Sequence, residues 1–354
     1  MMLDVCYGGA LLTKTMKDSI LNRAIRAVGH WAGWTALVCL VFATPKETYA
    51  QNKVHRIGWL LSTPSTFVPT QQAVEGFRQA LRELGYIEGA NLNIAIRFAE
   101  KGHTQLPSLA QELVNLPVDI IMTDTTESTL AAKQATTTVP IVMAVSAAPV
   151  EQGFAASLAR PGGNITGMTM MAPQVAEKRL ELSRLIVPKA TRVAILRTPG
   201  PSSHLQWRDT EAGAKRLGLK LQVLMAEGRE PDFAKLIESA VAQKADVLVA
   251  LADPSFVQHR ERIVATANKY RLPTIFFERS SVIAGGLMSY GPSVSDLFRR
   301  AARYADKILK GAKPGELPIE QPIKFDLFIN ATTAAQLGLN ISPELLLRAD
   351  EVFR

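Results

Sequence analysis

Cysteine is nearly absent from this chain of 354 residues: the only two, Cys6 and Cys39, both fall within the first fifty positions. A protein exported without that segment has neither a disulfide nor a thiol nucleophile. Histidine is also scarce. Beyond the first fifty residues there are four, and none stands in a His-Glu-x-x-His pair, so we predict no metal site. They are His55, His103, His204 and His259.

Other motifs that carry chemistry are missing as well. The chain has no Gly-x-Ser-x-Gly turn for a serine nucleophile. The glycine-rich stretch 160–167 fits neither common phosphate-loop pattern and indicates a turn. The net charge is +8, of which +2 lies in the first fifty residues, and no run of Lys and Arg would follow a nucleic-acid backbone. We therefore expect no enzyme activity, no cofactor and no nucleic-acid partner.

The first fifty residues have the pattern of a secretory signal peptide. Arg23 and Arg26 precede an apolar run, residues 31–43, that is shorter than the roughly 20 residues of a membrane span. The segment Thr48-Tyr49-Ala50 follows and ends in a small residue, which predicts cleavage before Gln51 and a periplasmic protein. Translation from Met16 would give a leader of more usual length, and an uncleaved anchor is the alternative.

From residue 56 onward, apolar strand-like runs alternate with amphipathic helical patterns. This alternation predicts a doubly wound parallel sheet, and it occurs twice. Residues 82–85 resemble 215–218, and residues 119–122 resemble 246–249. We therefore predict an α/β fold of two doubly wound parallel-sheet lobes joined by crossover strands.

We predict that the first lobe contains residues 53–167 and 290–317, and the second lobe residues 168–289 and 318–354. The glycine-flanked segments 163–167 and 285–291 are the candidate crossovers and hinges. Tyr290 would face the gap between the lobes; the alternative is an ordinary core or rim aromatic.

In open parallel sheets, ligands bind outside the carboxyl ends of the strands. This rule selects six loops rich in Ser, Thr, Asp and Pro. The candidate ligand-binding residues are Ser62, Thr63, Thr125, Thr126, Ser146, Ser202, Asp253, Glu278 and Tyr290. Hydroxyls at helix starts suit a carboxylate, although each could serve only to cap its helix.

The residues suggest a ligand with a carboxylate and an apolar or aromatic body, with an amino acid as first choice. The carboxylate would lie on Thr125 and Thr126, with Ser62 and Thr63 adding hydroxyl contacts. Asp253 would bind an amino group, because a buried ammonium needs a paired charge. Tyr290 would pack on the apolar body.

Residues 56 to the C-terminus resemble the ABC-transporter substrate-binding proteins of the type I periplasmic fold, in the branch that includes tryptophan- and tyrosine-type binders. The segments that carry this resemblance are 81–89, 157–167, 285–292, 307–314 and 345–351. The resemblance implies a small-molecule ligand and an ABC permease in the inner membrane as partner, and we expect a monomer. Family members often have Asp-Pro-Val where this chain has Ala148-Pro149-Val150, which removes one possible amine partner.

Two other functions remain open at this point. The protein could be a periplasmic sensing domain that docks on a receptor instead of a permease. It could also be a glycoside-acting enzyme, with Asp124 and Asp253 as paired carboxylates across the cleft.

Overall fold

The computed structural model describes residues 53–170 and 173–354, so the predicted signal peptide lies outside the described residues. Residues Val54–Arg354 form one compact unit. It contains two sheets, of five and seven strands, in which most neighbouring strands run parallel. The predicted fold class, two α/β lobes, is confirmed.

The first sheet has the strand order β2-β1-β3-β4-β5, with every pair parallel. In β1 the last five residues are all buried, as is typical of a strand covered by helices on both faces. The strands are β1 (His55–Leu61), β2 (Leu92–Phe98), β3 (Ile120–Thr123), β4 (Ile141–Met143) and β5 (Ile165–Gly167).

The second sheet has the order β12-β11-β10-β9-β8-β6-β7. Its strands β6–β10 repeat the arrangement of β1–β5, which confirms that one architecture occurs twice. Only the pair β10–β11 is antiparallel. The strands are β6 (Arg192–Arg197), β7 (Lys220–Met225), β8 (Val247–Ala250), β9 (Thr274–Phe276), β10 (Met288–Pro292), β11 (Phe325–Asn330) and β12 (Glu351–Phe353).

Helices cover both sheets. In chain order they are α1 (Val68–Glu83), α2 (Leu106–Asn115), α3 (Thr126–Ala135), α4 (Pro173–Ile186), α5 (Pro201–Leu217), α6 (Phe233–Ala242), α7 (Pro254–Gln258), α8 (Arg260–Lys269), α9 (Arg279–Ile283), α10 (Val294–Leu309), α11 (Ala331–Leu337) and α12 (Pro343–Arg348). Two 3₁₀ turns, His103–Gln105 and Pro314–Glu316, complete the described elements.

Apolar spacing explains how the helices pack. Helix α10 buries Leu297, Phe298, Ala301, Ala302 and Ala305 on one face, against the core beneath α1 and β1. It therefore packs on the first sheet, although the strand before it, β10, belongs to the second sheet. The chain thus changes lobe between β10 and α10.

Close backbone contacts lie on either side of this change of lobe. A Cβ atom at Gly291 would lie 2.2 Å from the carbonyl oxygen of Phe277, so only glycine fits there. Two other connections between the lobes, one after β5 and one before β11, run side by side: Thr169 donates its N–H to the Glu320 carbonyl at 2.9 Å, and Glu320 donates its N–H to the Gly167 carbonyl at 2.9 Å. Residues 165–167 themselves pair with β4 inside the first sheet.

Candidate functional site

A cavity of about 180 Å³ is lined by residues of both lobes, at the carboxyl ends of their strands. This volume is below the roughly 300–1,000 Å³ of pockets that hold drug-sized ligands, so the cavity suits a small molecule. A larger groove, of about 730 Å³, adjoins it, since Pro69, Phe277 and Glu278 line both.

On the first lobe, the polar wall is built around the start of α3. The hydroxyl of Thr125 accepts the N–H of Ser128 at 3.3 Å, and the Ser128 hydroxyl accepts the N–H of Thr125 at 3.0 Å, a reciprocal cap. Thr126 is buried, and its hydroxyl accepts the N–H of Ala147 at 2.8 Å. It also lies 3.4 Å from the hydroxyl of Ser146. These contacts fix the hydroxyls at the cavity wall.

Asp124 lies at the base of this wall and is buried. Its two oxygens accept hydrogen bonds from the backbone N–H and the hydroxyl of Ser62 and from the hydroxyl of Ser128, at 2.9–3.0 Å. Burial raises the pKa of this carboxyl, while the bonds from Ser62 and Ser128 oppose the rise. With three donors on its two oxygens, Asp124 serves as an internal brace, which weakens the support for a glycosidase pair with Asp253.

On the second lobe, the polar wall consists of two carboxylates at helix starts. Asp253 accepts the N–H of Ser255 at 2.8 Å, at the start of α7, and the hydroxyl of Thr198 at 2.6 Å. Burial raises its pKa. Glu278 accepts the N–H groups of Ser280 and Ser281 at 2.6 and 3.0 Å, at the start of α9. Both side chains line the cavity.

Glu127 connects the lobes beside the cavity. It belongs to the first turn of α3, and its Oε1 accepts the N–H of Ser202, in the first turn of α5, at 3.4 Å. Burial raises the pKa of Glu127, and the charge of Asp253 adds to the rise. Farther out, Arg208 of α5 forms an ion pair with Glu151, a residue from the first-lobe side.

The rest of the wall is largely apolar. Phe67, Val145 and Phe298 line it from the first-lobe side, and Phe277 from the second. Such a mixture, apolar with a few convergent polar groups, is typical of a small-molecule site. Trp59 does not contribute: it is fully buried and packs on Phe77 at a ring distance of 4.6 Å.

Most of the predicted site residues meet at this cavity, and two do not. Those that line it are Thr63, Thr125, Thr126, Ser146, Ser202, Asp253 and Glu278. Ser62 is instead turned toward Asp124. Tyr290 is also elsewhere: its ring stacks on Phe325 at 6.0 Å and packs against the core of the second lobe. This position differs from the expected one because Tyr290 is part of β10, whose side chains alternate between the two faces of the sheet.

Glu127, His103, Phe277 and Phe298 line the cavity but were not among the predicted residues. The rule that selected the other loops could have found His103, which follows the carboxyl end of β2, and Phe277, which follows β9 directly. Glu127 lies within residues 123–128, one of the six loops that the rule selected. No local sequence pattern predicts Phe298 at the cavity, because its helix, α10, packs on the first lobe only after the chain has crossed over from β10.

Ala148, at the position where related sequences were expected to carry Asp, does not line this cavity. It borders a separate recess with Glu151 and Asp209. Its backbone has φ 40°, in the left-handed region where Asp and Asn are several-fold enriched. An Asp at position 148 would not line the cavity, so its absence does not change the groups that could bind an amine there.

The described residues are 53–170 and 173–354. Within these ranges, no group of three or more His, Cys, Asp or Glu is arranged to hold a metal ion. In the same ranges, no helix has both the length and the apolar character needed to cross a membrane.

Comparison with known proteins gives a consistent set of similarities. A family model described as "ABC transporter substrate binding protein" matches residues 61–353. A tyrosine-binding protein of Clostridioides difficile is 29% identical over 269 residues, which cover 76% of this chain and 77% of that protein.

Solved structures show the same fold. A conserved domain protein of Vibrio cholerae is 26% identical, with a TM-score of 0.79, and the match covers 85% of this chain and all of that one. An ABC domain of Streptococcus pneumoniae in complex with L-Trp is 23% identical, with a TM-score of 0.77 over 84% of this chain and 99% of that one.

Proposed function

The chain belongs to the ABC transporter substrate-binding protein family, and we propose that it captures an amino acid in the cavity between its two lobes. In this proposal it is the exported solute-binding component of an importer. It acts in the periplasm as a monomer and delivers its ligand to a permease in the inner membrane.

The observation that carries the proposal is the chemistry of the two facing walls. The first-lobe wall presents the start of α3 with Thr125 and Thr126, where N–H groups and the helix dipole favour a carboxylate. The second-lobe wall presents Asp253, whose charge is disfavoured by burial unless a cation pairs with it. An amino acid carries both of the charges that these walls select.

The apolar lining suits the body of the ligand. Phe67, Phe277 and Phe298 supply aromatic surface beside the polar groups. Aromatic side chains favour offset or edge-to-face packing with another ring. The C. difficile relative is a tyrosine-binding protein, which points in the same direction and supports an aromatic amino acid as the ligand.

The enzyme alternative has little support from these side chains. Asp124 already accepts hydrogen bonds from three donors, so the predicted pair of Asp124 with Asp253 has little capacity for acid–base work at a sugar. The family is also one of solute-binding proteins. We therefore infer that the protein binds its ligand without turning it over.

The direct test is a thermal-shift screen of the purified protein against the common L-amino acids, followed by calorimetry on those that bind. A ligand at 100 times its dissociation constant raises the free energy of unfolding by about 2.7 kcal/mol, which gives a measurable rise in Tm. We expect at least one amino acid, most strongly an aromatic one, to give this rise. If none does at millimolar concentration, the proposed function is wrong.

A further inference from the structure

The cavity carries an excess of acidic side chains. Asp124, Glu127, Asp253 and Glu278 line it, and His103 is the one basic residue among its described lining residues. Asp124 is saturated by Ser62 and Ser128. Glu278 is likewise occupied, since it accepts two backbone N–H groups and the hydroxyl of Ser281. Glu127 and Asp253 are therefore the carboxylates with capacity for a ligand.

These two carboxylates come from opposite lobes and meet at the same loop. Asp253 accepts the hydroxyl of Thr198, and Glu127 accepts the N–H of Ser202. Residues 198–200 connect β6 to α5, and Ser202 lies in the first turn of α5, so the two acids contact the two ends of the five-residue segment 198–202. The 3.4 Å bond from Ser202 is at the long, weak end of the range, so this contact satisfies only part of the carboxylate of Glu127.

Two half-buried carboxylates that face one cavity repel each other and are poorly solvated. Burial raises the pKa of both, and the charge of Asp253 adds to the rise at Glu127. Their charged forms are costly unless a cation lies between them, and no Lys or Arg stands among the described residues of the cavity wall. The charge of His103 lowers the pKa of both carboxyls and offsets part of this cost, and a cationic group of the ligand would offset the rest.

We propose that the cavity selects its ligand by charge: a primary ammonium group of the ligand lies between Glu127 and Asp253, one carboxylate from each lobe. The inference rests on the proposed function and adds to it a second amine-binding residue, Glu127. It also predicts which end of the ligand, the amine or the carboxylate, contributes more to affinity. Because Glu127 lies in the first turn of α3, its negative charge opposes a ligand carboxylate at that helix start, so the amine contributes more to affinity.

The first arm of the test compares ligands that lack one group at a time, by calorimetry on the purified protein. One series is L-tyrosine, tyramine and 3-(4-hydroxyphenyl)propanoate; the other is L-tryptophan, tryptamine and 3-indolepropanoate. In the series whose amino acid binds more tightly, we expect the amine to keep most of the affinity of that amino acid. The affinity of the deaminated acid should be lower by about tenfold or more, since a hydrogen bond to a charged group is lost. A deaminated acid that binds as tightly as its amino acid overturns the inference.

The second arm removes each carboxylate without changing its shape. Glu127→Gln and Asp253→Asn should each weaken binding of the amino acid and the amine by about tenfold or more and leave the deaminated acid unaffected or tighter. Glu112→Gln is the matched control, because Glu112 pairs with Arg97 on the surface, and it should change neither. Unchanged amine affinity in Glu127→Gln overturns the role of Glu127.

The outcomes separate the two proposals. If the amino acids bind but the deaminated acids bind equally tightly, only this inference is wrong, and the proposed function remains. If none of the six compounds binds to the wild-type protein, the function proposed for an aromatic amino acid is wrong, and the inference is overturned with it.

Discussion

Asp124 accepts the backbone N–H of Ser62 with both of its carboxylate oxygens, each at 3.0 Å. The bond joins the carboxyl end of β1 to that of β3, the two strands that carry the first-lobe wall of the cavity. The hydroxyl groups of Ser62 and Ser128 complete the set of donors. The polar residues next to the cavity thus divide into those that shape its wall and those that face its interior.

Replacing Asp124 by Ala should therefore destabilise the first lobe. It leaves the buried N–H of Ser62 and two hydroxyls without their acceptor, and we expect the free energy of unfolding to fall by about 2–4 kcal/mol. Urea denaturation followed by far-UV circular dichroism measures this loss. A decrease below about 0.5 kcal/mol, the size typical of a surface substitution, would show that the brace is dispensable.

A pH-dependent prediction follows from the raised pKa of Glu127. A carboxyl whose pKa is higher in the folded than in the unfolded chain binds its proton more tightly when folded. Its charge therefore lowers stability above the folded-state pKa, and this loss disappears as the pH falls below the unfolded value, about 4.3. Without ligand, Glu127→Gln should be more stable than wild type at neutral pH, and the difference should shrink as the pH approaches 4.

The control for this prediction has the opposite sign. Arg216 lowers the pKa of Glu177 through a hydrogen bond, so the charged form of Glu177 favours the folded state above the unfolded pKa. Glu177→Gln should be no more stable than wild type at neutral pH. Denaturation curves at several pH values compare the two variants. A stability gain at neutral pH in both would indicate a nonspecific effect of net charge.

Much of the fold could be predicted from the sequence because its signals are local. The apolar run 57–61 and the face formed by Leu297, Phe298 and Ala301 fix a buried strand and an amphipathic helix without reference to distant residues. The choice of the loops after the strands as candidate ligand-binding loops depended only on the predicted topology. Thr126 and Asp253, which are far apart in the chain, both line one cavity.

What could not be predicted depends on contacts between distant residues. Ser62 and Thr63 are neighbours of the same type, yet Asp124 orients one inward and leaves the other at the cavity. Tyr290 was expected at the gap because glycines surround it, but which face of β10 meets the core depends on the register with β11. Glu127 and Ser202 are 75 residues apart in the chain, so no local pattern indicates their contact.

The hydroxyl of Thr126 should matter for both stability and binding. Thr126→Val leaves the N–H of Ala147 without its acceptor, so we expect a loss of about 1–3 kcal/mol in the free energy of unfolding. If the ligand carboxylate lies on this hydroxyl, affinity also falls. Thr126→Ser, which keeps the oxygen, is the control and should retain both. Denaturation and calorimetry on the same samples separate the effects; unchanged affinity in a folded Thr126→Val protein would place the carboxylate elsewhere.

The two glycine-flanked segments give a matched pair of substitutions for the crossover. At Gly291 a Cβ atom would lie 2.2 Å from the carbonyl oxygen of Phe277, whereas at Gly163 no other atom lies within 4 Å of it, apart from the chain neighbours. Gly291→Ala should therefore force β10 and the segment after β9 apart and reduce the free energy of unfolding by about 1–3 kcal/mol or more, as overpacking does. Gly163→Ala should leave stability nearly unchanged. Urea denaturation of both variants checks the contrast; equal stability would mean that the backbone at Gly291 moves aside easily, as a flexible crossover would.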